Sequence, residues 1–145
     1  MKKKETNYEY FDTTADIGIK VESNTVNEAF KASAKATLNL ITDTEKLEEK
    51  ITKEIKITSE DEYALLYDWI TELLILLDSE NYMTKEYDIM ITKEDDKYKL
   101  EGILTGDIYD TEKYSYKTEV KAITYHEMEV KIAPENVFIR FILDL

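Results

Sequence analysis

Cysteine is absent from all 145 residues. No disulfide framework, thiolate nucleophile or zinc knuckle is therefore available, which removes several enzyme classes. Glycine occurs three times and proline once. Isolated glycines cannot build a phosphate-cradling loop or a dinucleotide fingerprint. No run approaches the ~18 apolar residues of a membrane span, and the opening MKKKETN has basic residues with no apolar segment behind it. A cytoplasmic protein is expected. Positive charge is also scarce, 19 Lys and Arg against 32 Asp and Glu for a net charge of -13. Such a surface repels phosphate backbones, so direct nucleic-acid binding is not expected. Solubility and a basic protein partner remain as two accounts of the acidity.

What is present fits one soluble domain spanning residues 1–145, with 43% hydrophobic and 35% charged residues. No repeat, linker or low-complexity tract divides it. In YEYFDTTADIGIKVES, Ala15, Ile17, Ile19 and Val21 alternate with Asp16, Gly18 and Lys20, the pattern of a half-buried strand. Thr25 with Glu28 forms a capping box, and the apolar spacing that follows predicts a helix over 25–41. KITKEIKITS reads as a short strand. Ser59 with Glu62 forms a second capping box for a helix over 60–79, whose broad apolar face includes Leu66, Trp69, Ile70 and Leu73. Two alternating runs joined at KEDDK predict a hairpin, and residues 110–118 a loop. The last two strands meet at APEN, the first of them placing Ala122, Thr124, His126, Met128, Val130 and Ile132 on one face. The expected fold is α+β, a two-layer sandwich of two helices on one mostly antiparallel sheet of about six strands.

Catalytic chemistry has few carriers in this chain. The single histidine, His126, would have to serve any Ser-His-Asp arrangement alone. Its place between Thr124 and Met128 on an apolar face reads instead as a hydrogen-bonded structural residue in the core or near a site. Asp16 interrupts a β-rich run directly before a glycine, and a buried carboxylate needs a partner. If the first and last strands are neighbours, Asp16, Asp144 and the carboxylate of Leu145 converge, an oxygen-only set suited to calcium, magnesium or manganese. On spacing alone the plainer reading prevails: Asp16 caps a turn and Asp144 is solvated at a frayed end.

Four segments in order, TADIGIKV (14–21), ALLYDWITELLILLDSE (64–80), EVKAITYHEMEV (119–130) and the terminal FILDL, resemble the signature blocks of the archease family over nearly the whole chain. The resemblance implies a small, non-catalytic cytoplasmic accessory protein. It would activate the RtcB-type RNA ligase of tRNA splicing by promoting guanylylation of the ligase from GTP and allowing multiple turnover. It also implies a divalent ion, calcium in the family, held at the positions of Asp16, Asp144 and Leu145. Many relatives carry histidine at the position of Thr13 and another near Tyr114; this chain has neither. Two other functions compete: a chaperone or specificity modulator of a tRNA methyltransferase, and a stand-alone metal-dependent phosphohydrolase.

Overall fold

The computed structural model describes residues 6–14 and 16–145. Ala15, which the sequence places on the inward side of its strand, lies outside the described residues. Among the described residues seven strands and two α-helices follow one another as β1 (Asn7–Asp12), β2 (Asp16–Ser23), α1 (Val26–Asn39), β3 (Ile51–Ser59), α2 (Glu62–Glu80), β4 (Tyr82–Glu94), β5 (Lys97–Ile108), β6 (Ala122–Ala133) and β7 (Asn136–Asp144), with a short 3-10 helix at Thr44–Lys46 between α1 and β3.

The helices form where their caps direct. Thr25 is extended, and its Oγ1 accepts the Glu28 amide at 3.2 Å, stopping the preceding strand and starting α1. At α2 the cap is Asp61, whose Oδ1 accepts the Ala64 amide at 2.8 Å. Ser59, expected to cap, instead ends β3 and donates its hydroxyl to Asp68 Oδ2 at 2.6 Å. Asp61 directly precedes the first helical residue and carries a full negative charge toward the helix dipole, so it outcompetes the serine. Asn81, at φ 54, closes α2 in the left-handed conformation. Trp69 is fully buried and donates its indole N–H to Phe30 O at 2.9 Å, tying α2 to α1. Small residues Ala29, Ala32, Ser33 and Ala36 bring α1 close to its neighbours.

Two helices packed on antiparallel strands agree with the sequence reading. The single sheet of about six strands does not form; the strands divide into orders β1-β2-β7-β6 and β3-β5-β4. β5 uses both edges within the second sheet, and the chain between β5 and β6 crosses to the first. β1 separates from β2 at Thr13 and Thr14, a break without the glycine or proline that marks a turn in sequence. The KEDDK hairpin turns on Asp95 and Asp96, both at positive φ (50 and 63), as a tight two-residue connection requires.

The expected single face of β6 is broken. Thr124 pairs with Ile142 and Glu129 with Arg140, so residues 125–128 stand where β7 has Phe141 alone. The bulge moves Ala122 and Thr124 to the outer face while Met128 and Val130 pack into the core. His126 is consequently not a core residue; its side chain is 74% exposed.

Candidate functional site

β2 and β7 lie side by side in the first sheet, and their register sets Asp16 directly opposite Asp144. Side chains of directly opposed residues share one face, with Cβ atoms roughly 4.5–5.5 Å apart, and like charges so placed repel. Asp16 is half-buried and Asp144 exposed. Among the described residues neither carboxylate has an ion-pair partner. The rung is pinned on its far side by the Lys121 amide, which donates to Asp144 O at 2.8 Å. Leu145 follows Asp144, but its side chain leaves that face and lines a cleft of about 1010 Å³ between β1, α1 and β4.

Two carboxylates in register and reachable from solvent are the donor type that a hard cation takes, though among the described residues no third Asp, Glu, His or Cys side chain joins them. Thr13, where the family resemblance leads one to expect histidine, has a buried hydroxyl with no hydrogen-bond partner among the described residues. Tyr114 is not part of this site. It is buried, donates to Asp107 Oδ2 at 2.6 Å and accepts the Glu48 amide at 3.1 Å. The Tyr114 hydroxyl, foremost, holds the Asp107 carboxyl below its usual range, helped by the Ile108 amide and Lys113 and opposed by burial.

Beside the carboxylate pair, sequence reading missed a second feature of the same face. Phe11 lies across Gly18, where a Cβ would sit 2.0 Å from the ring. Arg140 stacks on Phe11 at 4.6 Å and Lys20 at 5.1 Å, and Glu127 approaches Arg140 at 3.7 Å. Ile142 is buried on this outer face. The alternation of Asp16, Gly18 and Lys20 was the available signal; that Phe11 covers the glycine depends on β1, which the sequence did not separate.

Residues 8–145 match the model of the Archease protein family (MTH1598/TM1083). The chain belongs to this family. The protein archease of Pyrococcus furiosus is 40% identical over 129 residues, 89% of this chain and 91% of that protein. That of Sulfurisphaera tokodaii is 38% identical over 138 residues, 95% and 98% of the two chains. The solution structure of Methanobacterium thermoautotrophicum protein 1598 is similar at a TM-score of 0.82 with 37% identity, covering 95% of this chain and 98% of that one. A crystal structure from Thermotoga maritima, described as an archease and possible chaperone, is similar at a TM-score of 0.59 with 20% identity over 93% and 94% of the chains, a likeness of fold alone. Among the described residues, no helix is long and apolar enough to cross a membrane.

Proposed function

We propose that this archease is a non-catalytic, metal-binding activator of an RtcB-type tRNA-splicing RNA ligase in the cytoplasm, promoting the ligase's GTP-dependent guanylylation and multiple turnover. The observation that carries the reading is the opposition of Asp16 and Asp144 across the β2–β7 ladder. Asp16 and Asp144 would hold the divalent cation, with Leu145 the third position that the family resemblance implies. Calcium is the expected ion; magnesium or manganese satisfies the same donors. When bound, the cation supplies charge neutralisation at phosphoryl oxygens. The protein's own residues fix the geometry: the cross-strand hydrogen bonds of β2 and β7 set the carboxylate separation, and the Lys121 amide steadies the end of β7.

Following guanylylation of a cognate ligase with GTP and a divalent ion tests the proposal. Wild-type protein is expected to raise the rate and restore turnover while leaving RNA alone unchanged, and Asp144→Ala to lose most of that stimulation. A ligase equally fast with and without the wild-type protein would contradict the reading. The methyltransferase chaperone would then take its place.

A further inference from the structure

The longest region of one charge sign in this protein is also the one that presents an ordered aromatic pair to solvent. Between Lys56 and Lys85 the sequence has seven acidic residues and no lysine or arginine. α2 occupies most of that stretch, and among the described residues its one ion pair is between Glu80, at the helix end, and Lys53. Asp61, Asp68, Glu72 and Ile75 fall at spacings of seven, four and three, so they follow one side of the helix. Asp61 and Ile75 are exposed; Asp68 and Glu72 are half-buried.

Tyr125 of the β6 bulge stacks on Tyr67 of α2, with centroids 4.4 Å apart and rings 1° from parallel. Despite this order Tyr125 remains 53% exposed. Its phenol is pushed up by burial first and then by Asp68, Tyr67, Asp61 and Glu60, which places those carboxylates around the exposed ring. A fixed aromatic face inside a negative field attracts a guanidinium or ammonium group by its quadrupole as well as by the net charge. Nucleic acid is excluded by the same sign. Strand addition is disfavoured too: β6 is an edge strand, but its bulge, with Glu127 at φ 54, interrupts the ladder another strand would extend.

We infer that the Tyr67–Tyr125 stack and the acidic side of α2 form a docking surface for a cationic segment of a partner protein, which lays an arginine or lysine on the exposed ring. The inference rests on the accessory-protein reading in taking that partner to be the ligase. It assigns docking to a surface separate from the Asp16–Asp144 rung.

Two probes separate the claims: interferometry against an RtcB-type ligase, and calorimetry against deca-arginine. Tyr125→Ala and the double variant Asp61→Asn/Asp68→Asn are expected to weaken both interactions about tenfold. Tyr116→Ala, at an exposed tyrosine of the β5–β6 loop, should leave both unchanged, and Asp16→Ala should keep docking while losing stimulation. Circular dichroism melts establish that each variant is folded; should Tyr125→Ala fail that check, the double variant decides. Affinities within twofold of wild type for both probes would overturn the surface. If wild type does not bind the ligase but deca-arginine binding still depends on Tyr125, the ligase reading falls and the docking surface stands. If the peptide also binds independently of Tyr125, both fall.

Discussion

Asp107 and the Asp16–Asp144 pair show two ways of placing a carboxylate in one fold. Asp107 is 7% exposed and saturated: it accepts from the Tyr114 hydroxyl at 2.6 Å and its Oδ1 from the Ile108 amide at 2.9 Å, and Lys113 stands 3.4 Å away. Asp16 and Asp144 face each other with neither hydrogen-bond donor nor cation to separate their charges among the described residues. A buried anion without partners costs several kcal/mol, so Asp107 was given them by the fold. An opposed pair of which one member is half-buried and the other exposed costs less and leaves its lone pairs for something from outside. The first arrangement holds the β5–β6 loop; the second is the rung proposed above to bind the cation.

That contrast orders the expected effects. Asp107→Ala removes an acceptor from two buried or half-buried donors and should cost about 2–3 kcal/mol in urea unfolding at neutral pH. Tyr114→Phe removes one charge-assisted bond and leaves the Glu48 amide without its acceptor; about 1.5–2 kcal/mol is expected by the same measurement. Lowering pH gives a third check. Because the folded Asp107 carboxyl is depressed, its contribution is complete above the unfolded value near 3.9 and is lost as pH falls through the folded value. Wild-type stability should therefore decline below about pH 4, and Asp107→Asn should flatten that part of the curve. Asp16→Asn relieves a like-charge contact, so without divalent ion its stability should equal or exceed wild type by up to about 0.5 kcal/mol. His126→Ala, at an exposed side chain, should change stability by less than about 0.5 kcal/mol. A loss above 1 kcal/mol there would reinstate the core role that the β6 bulge removes.

Local chemistry was readable from the sequence wherever the decisive partner lies within a few residues. The Thr25 cap, the α2 apolar face and the Asp95–Asp96 turn all have that character. Ser59 misled because a capping-box spacing cannot weigh it against the Asp61 two residues on. The β6 bulge left no trace, since an extra residue is extra only relative to a partner strand, and Thr124 through Glu129 alternates smoothly when read alone. The opposition of Asp16 and Asp144 joins strands from the two ends of the chain. Spacing left it conditional on the first and last strands being neighbours, and the resemblance of TADIGIKV and FILDL to archease blocks then named the two aspartates together.

Calorimetric titration of calcium into the protein tests the central claim most directly, comparing wild type with Asp16→Asn and with Asp107→Asn. One ion per chain is expected for wild type and for folded Asp107→Asn, with binding lost in Asp16→Asn. Equal calcium binding by wild type and Asp16→Asn would contradict the account.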